Sequence, residues 1–207
     1  IVLKADGLAG GKGVIVAFSR EEALEALNSL MVDQKLGSAG DNLVIEEFLK
    51  GEEASFIVLC DGENVIPLAS SQDHKQRDDG DKGLNTGGMG AYSPTPLITE
   101  ELNEEIMKEI IYPTLAELKR RNIKYRGFLY AGLMIDDQEI KVLEYNCRFG
   151  DPETQPILMR MKSDFLDICL KAAKQELKEE KIEWDERYAL GVVMASKGYP
   201  EKYETGF

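Results

Sequence analysis

Cysteine, positive charge and long apolar runs are all scarce in this chain, and each scarcity excludes something. Only three cysteines (Cys60, Cys147, Cys169) occur in 207 residues, odd in number, far apart and without CxxC spacing. That argues against a disulfide framework or a cysteine-based zinc site, and points to a reducing cytoplasm. No run approaches the roughly 18 apolar residues that a membrane-spanning helix needs, and no secretory signal opens the chain. Lys plus Arg number 25 against 38 Asp plus Glu, a net charge of −13. Broad nucleic-acid or anionic-membrane binding needs a basic face, so both partners are argued against. A nucleotide remains open, because it needs only a local cluster of cations. An initiating Met is also absent. The chain starts inside an apparent strand, Ile1-Val2-Leu3-Lys4, and stops at Thr205-Gly206-Phe207 without a closing element. It is therefore expected to be a piece of a longer protein.

What is present can build a core. The hydrophobic fraction of 43% is ordinary globular usage, and the length suits one large domain or a domain plus part of another. Strands are expected at 1–4 and 14–18, joined by the loop Gly7-Leu8-Ala9-Gly10-Gly11-Lys12-Gly13. Ser19 with Glu22 makes a capping-box pattern at the start of a helix, whose buried side would carry Ala23, Leu24, Ala26, Leu27 and Leu30. Strands at 43–48, 54–60 and 65–70 follow, the last two joined by the turn Asp61-Gly62-Glu63-Asn64. Residues 71–96, rich in Asp, Gly and Lys with little periodicity, read as a long ordered loop of functional character. A helix over 99–121 is bent or split by Pro113. Central strands at 128–136 and 140–146, a helix at 156–176 and a strand at 189–195 complete an α+β pattern of antiparallel hairpins.

Chemistry concentrates where the strand at 140–146 ends. Side chains at i, i+2 and i+4 of a strand share a face, so Glu144, Asn146 and Arg148 project together. A carboxylate and an amide oxygen suit Mg²⁺, which takes a few protein oxygens plus substrate phosphates. A guanidinium fork fits a phosphoryl group. The same triplet taken alone is better read as the solvated face of an edge strand. The loop around Lys12 fits neither a Walker loop nor the dinucleotide fingerprint. It is a flexible Gly-rich turn whose N–H groups can approach phosphate oxygens, or an ordinary hairpin. The segment Glu46-Glu47-Phe48-Leu49 could offer backbone groups to an adenine edge, and is also readable as a charged strand end. Ser71-Gln72-Asp73-His74-Lys75 holds the chain's only histidine beside an acid and a base.

These segments, in this order, carry a resemblance. Lys4-Ala5-Asp6-Gly7-Leu8-Ala9, Gly11-Lys12-Gly13-Val14 and Glu46-Glu47-Phe48-Leu49 with Gly51-Glu52-Glu53-Ala54-Ser55 resemble the ATP-grasp superfamily. Gln72-Asp73-His74-Lys75, the run Asn85 to Pro94, and Asn146-Cys147-Arg148-Phe149-Gly150-Asp151-Pro152-Glu153-Thr154-Gln155-Pro156 are similar to its phosphoribosylamine–glycine ligase family. The resemblance implies an ATP-grasp fold, two α+β subdomains gripping ATP, with an ATP-grasp domain over 1–185. Within it, 1–70 would form the glycine-loop lid and adenine side, and 71–185 the substrate loop and the metal and phosphoryl-transfer side. Residues 186–207 would begin a C-terminal domain, and an N-terminal domain would precede Ile1.

The implied activity is an ADP-forming ligase of purine synthesis, joining glycine to 5-phosphoribosylamine through a glycyl phosphate. By matched position the resemblance implies that Lys4, Gly10, Gly11, Lys12 and Gly13 cover ATP phosphates. Glu46, Glu47, Phe48 and Leu49 would line adenine, and Glu53 would contact the ribose. Glu144 and Asn146 would hold Mg²⁺ or Mn²⁺, and Arg148 would stabilise the transferring phosphoryl group. Asp73, His74, Lys75, Asn85 and Asp151 would contact glycine or phosphoribosylamine. Monomer and dimer both fit, and this piece alone is expected to be inactive. Two departures stand out: no acid occupies Ala131-Gly132-Leu133-Met134, where many relatives carry a second metal carboxylate, and Leu84 replaces an expected proline before Asn85.

Overall fold

A computed structural model describes residues 1–9, 13–137, 139–178 and 180–206. The chain divides into two units, Ile1–Lys50 and Gly51–Phe207.

In the first unit, β1 (Val2–Ala5) pairs antiparallel with β2 (Val14–Val16) on one side. On its other side it pairs with β3 (Leu43–Glu46), giving the order β2-β1-β3. Between β2 and β3 lies α1 (Arg20–Leu27), which runs into a π-helical turn at Asn28–Val32. Ser19 caps α1 by accepting the Glu22 N–H at 3.1 Å. The Glu22 carboxylate reaches back to the Phe18 N–H at 2.8 Å. Leu3, Ala17 and Ala26 form the core, with Ala23, Leu27 and Leu43 against it. Leu24, expected in that core, is exposed. Ala23, Ala26, Leu27 and Leu30 follow the i, i+3, i+4, i+7 stripe of a helix, and Leu24 stands one position off it.

The second unit centres on a four-stranded sheet of order β5-β4-β8-β9. Its strands are β4 (Glu52–Cys60), β5 (Val65–Pro67), β8 (Gly127–Asp136) and β9 (Glu139–Asn146). The unit boundary falls at Lys50/Gly51, ahead of residue 70, because β4 pairs along its whole length with β8. The Gly/Asp-rich segment expected as a loop is instead a hairpin, β6 (Gln72–Asp78) and β7 (Lys82–Ser93). On the far side of β7, β10 (Ala189–Val192) adds a third strand along Gly90–Ser93. A residue set expected to open a further domain thus completes this sheet of order β10-β7-β6.

The helical run after the hairpin contains α2 (Glu100–Ile106), a π-helical turn at Met107–Ile111 and α3 (Tyr112–Arg120). Pro113 follows directly on the π-helical turn, as the second residue of α3, in a helical run that continues from Glu100 to Arg120 without a cap between its parts. The helix expected over 156–176 is two helices, α4 (Thr154–Arg160) and α5 (Phe165–Lys174). Met161 turns extended to bridge Trp184, and Asp164 restarts the helix by accepting the Asp167 N–H at 3.0 Å. One face of the four-stranded sheet packs Phe56, Val58, Leu129 and Leu133 against Leu102, Ile106 and Ile111. The other face packs Ile57 and Leu59 against Ile157 of α4 and Ile168 of α5.

Candidate functional site

That second face is apolar at one end and polar at the other. Along β4, Glu53, Ser55, Ile57 and Leu59 alternate onto it, paired with Met134, Gly132, Tyr130 and Phe128 of β8. Ile57, Leu59 and Phe128 meet α4 and α5, whereas Glu53 and Ser55 begin a cluster of charged and hydroxyl groups.

A bulge in β9 brings Glu144 and Asn146 to the same place. Gly132 pairs with Glu144, but Leu133 pairs with Val142, so Leu143 is an extra residue. Before it, the even-numbered Ile140 and Val142 oppose Ile135 and Leu133 of the face that packs on α2. After it, the even-numbered Glu144 and Asn146 oppose Gly132 and Tyr130 of the polar face. The Asn146 amide donates to Glu144 Oε1 at 3.1 Å. Just past the strand, the Arg148 guanidinium lies 5.9 Å from the Tyr130 ring centroid and donates to the Phe149 carbonyl at 3.0 Å.

On β6, Asp73 and Lys75 share the other side of this cluster. The Lys75 ammonium contacts Glu53 Oε2 at 2.7 Å. Burial alone would lower the Lys75 pKa, but Asp73, Glu53 and Glu144 outweigh it and the pKa rises. Asp73 is only 8% exposed. Burial pushes its carboxyl up to about 6 against the pull of Lys75, with Glu153 and Glu53 adding to the rise. Behind these groups the buried Ser55 hydroxyl donates to Glu153 Oε1 at 2.8 Å and lies 3.0 Å from the Tyr130 hydroxyl. The Tyr130 pKa is pushed up by burial, then by Glu153 and Asp73. Glu153 fits under the backbone because residue 150 is glycine: a Cβ there would come within 2.7 Å of its carboxylate.

The expected residues are partly united. Glu53, Asp73, Lys75, Glu144, Asn146 and Arg148 gather in the second unit. His74 alternates to the opposite side of β6, where it stacks on Tyr92 at 5.9 Å and lies 3.8 Å from Asp81. Asn85 and Asp151 are exposed. The Thr86–Met89 stretch is a wide bulge in β7, since His74 pairs with Gly90 and Gln76 with Asn85. Gly88 within it packs on Pro152, next to Asp151. Ser55, Tyr130 and Glu153 were not among the expected site residues. The available signal was a lone hydroxyl, Ser55, inside the apolar run Ala54–Cys60, which once buried demands a partner.

In the first unit, Lys4 and Glu46 form an ion pair at 2.6 Å on the sheet face opposite Leu3 and α1. The Gly13 carbonyl accepts the Ala5 N–H at 2.8 Å. Glu47, Phe48 and Leu49 follow β3 rather than extending it, and the Phe48 ring meets Phe18 edge-on at 5.5 Å. Gly10, Gly11 and Lys12 lie outside the described residues.

The phosphoribosylglycinamide synthetase ATP-grasp (A) domain model matches residues 1–154. The chain belongs to that family. Phosphoribosylamine–glycine ligase of Salmonella typhimurium is 59% identical over all 207 residues, which cover 48% of the relative. The Escherichia coli K12 relative of the same name is 58% identical over the same span. The crystal structure of phosphoribosylamine–glycine ligase from Thermotoga maritima superposes with a TM-score of 0.84 at 38% identity, covering 98% of this chain and 51% of that one. The fold of this family member is thus ATP-grasp, α+β as its sequence pattern implies. The chain spans about half the length of the curated relatives it matches. No helix among the described residues is long and apolar enough to cross a membrane.

Proposed function

We propose that the whole protein containing this chain is an ATP-dependent ligase that joins glycine to 5-phosphoribosylamine, releasing ADP and phosphate. The observation that carries this reading is 59% identity, over an alignment that spans all 207 residues, with a relative of that name. The gathering of Glu144, Asn146 and Arg148 on one sheet end supports it. A carboxylate is a poor electrophile, so the route runs through a glycyl phosphate, which the amine of phosphoribosylamine attacks with loss of phosphate. Such phosphoryl transfer rests on positioning and neutralisation of charge.

In the second unit, Glu144 and Asn146 are the proposed metal ligands, Arg148 faces the transferring phosphoryl group and Glu53 takes ribose hydroxyls. Asp73, Lys75, His74, Asn85 and Asp151 are the candidates for glycine and phosphoribosylamine. In the first unit, Lys4 and the Gly10, Gly11, Lys12, Gly13 loop are assigned to ATP phosphates, and residues 46–49 to adenine. Among the described residues no three His, Cys, Asp or Glu side chains gather to hold a metal. One carboxylate and one amide oxygen side by side on one face nevertheless fit Mg²⁺ or Mn²⁺, which complete their shells with phosphate and water. When bound, the cation would neutralise phosphate charge as it develops. We place the protein in the cytoplasm, in keeping with its free cysteines.

The test is ADP release by the full-length protein. Release that requires both glycine and phosphoribosylamine is expected. Dependence on bicarbonate would assign it to carboxylase chemistry, and ATP binding without turnover would make it a nucleotide-binding module.

A further inference from the structure

Arg148 stands on an exposed segment beyond the end of β9, yet the proposed phosphoryl chemistry needs its guanidinium held still. The group beneath it is Tyr130, only 4% exposed and fixed from behind. The hydrogen-bond directions there are determined by counting protons. Ser55 has a single hydroxyl proton, and it is given to Glu153 Oε1 at 2.8 Å. The 3.0 Å contact between Ser55 Oγ and the Tyr130 hydroxyl is therefore donated by tyrosine. The result is a one-way chain, Tyr130 to Ser55 to Glu153, ending on a buried carboxylate whose other oxygen has no partner among the described residues. Hydrogen bonds in series polarise one another. Donation toward a carboxylate leaves the phenol ring richer in electrons, which strengthens its hold on a cation lying over its face.

We propose that Tyr130, anchored through Ser55 to Glu153, is a positioning residue that holds the Arg148 guanidinium over its ring for phosphoryl transfer. The proposal rests on the ligase reading for its chemistry, but its geometry stands apart from the choice of substrates. Preorganising a cation in this way lowers the cost of placing it at the moment of reaction.

The test is a double-mutant cycle in the full-length protein, with Tyr130→Leu and Tyr130→Phe each made alone and with Arg148→Ala. Tyr130→Leu is expected to lower kcat by about tenfold while the KM for ATP moves less than about twofold. Tyr130→Phe keeps the ring but cuts the anchor, and is expected to lower kcat by about threefold. In the Arg148→Ala background both effects should fall below about twofold, because non-additivity marks groups that act as one. Equal fold-losses in the two backgrounds would overturn the proposal. NMR supplies a readout independent of turnover. The Arg148 side-chain protons should be ring-current shifted in the parent and Tyr130→Phe proteins and return to ordinary positions in Tyr130→Leu. Unshifted Arg148 protons in the parent protein would also overturn it. If the parent releases ADP without requiring glycine and phosphoribosylamine, the ligase reading fails, while the NMR arm still decides the positioning of Arg148.

Discussion

The Gly-Gly-x-Gly run of β7 offers a sharp test, because two adjacent glycines in it have different reasons to be there. Gly88 is buried with φ +123°, a backbone that L side chains rarely adopt. A Cβ on it would sit 2.3 Å from Pro152 Cδ and 3.0 Å from Pro152 Cγ, where carbon atoms prefer about 3.5–4.0 Å. Gly88→Ala therefore combines backbone strain of about 1–3 kcal/mol with overpacking of about 1–3 kcal/mol. Movement that relieves one relieves part of the other, so the expected loss is about 3 kcal/mol. Gly87 has no such constraint: its Cβ would meet only the Tyr199 hydroxyl, at 3.4 Å. Gly87→Ala should cost less than about 1 kcal/mol. Equilibrium urea denaturation of the two full-length variants measures the contrast. Turnover should fall in Gly88→Ala alone, because the neighbour displaced is Pro152, flanked by Asp151 and Glu153. Two variants within about 1 kcal/mol of each other would refute the reasoning.

Glu144→Ala should cut Mg·ATP turnover by about 100-fold or more while stability changes by less than about 1 kcal/mol, since the side chain is exposed. Unfolding without a selective loss of turnover would make it structural. Asp61 is fully buried and accepts from the backbone N–H groups of Glu63, Asn64 and Leu177 and from the Asn64 amide. Asp61→Ala orphans the buried Leu177 N–H and should cost about 2–4 kcal/mol, with faster hydrogen exchange at Leu177. Unchanged exchange there would refute this. Asp73, with its carboxyl at about 6 when folded, binds its proton better folded than unfolded. In the metal-free protein that contribution is present at low pH and is lost as pH rises from about 4 through 6. Asp73→Asn should therefore flatten the pH dependence of urea stability across that window and stabilise the protein at pH 7, although it removes a proposed substrate contact. An unchanged slope would show that Asp73 is not so perturbed.

Much of the architecture was legible in local pattern. Ser19 with Glu22 marked the start of α1 because a cap is a contact between near neighbours. Asp61-Gly62-Glu63-Asn64 marked the hairpin turn for the same reason. The alternation of Glu144 and Asn146 named the strand end where charge gathers, and the motifs around it named the family. The Gly/Asp-rich hairpin at 72–93 was not legible, because two register shifts break the period-two pattern along its strands and its third strand, β10, comes about a hundred residues later. The split between α4 and α5 was hidden likewise, since it depends on Met161 pairing with Trp184.

The sequence by itself determined the family, the fold class and the side chains proposed for a nucleotide's phosphates, because those reside in motifs and short-range periodicity. Tertiary structure alone decided which way they point. The extra residue Leu143 turns Glu144 and Asn146 away from the helix-packed core and onto the polar face. Strand alternation leaves Asp73 and Lys75 inside and sends His74 out to Tyr92. Ser55, Tyr130 and Glu153, far apart in the chain, become one buried network. Each outcome depends on register between distant strands, and a side-chain period of two makes a one-residue shift the difference between core and site.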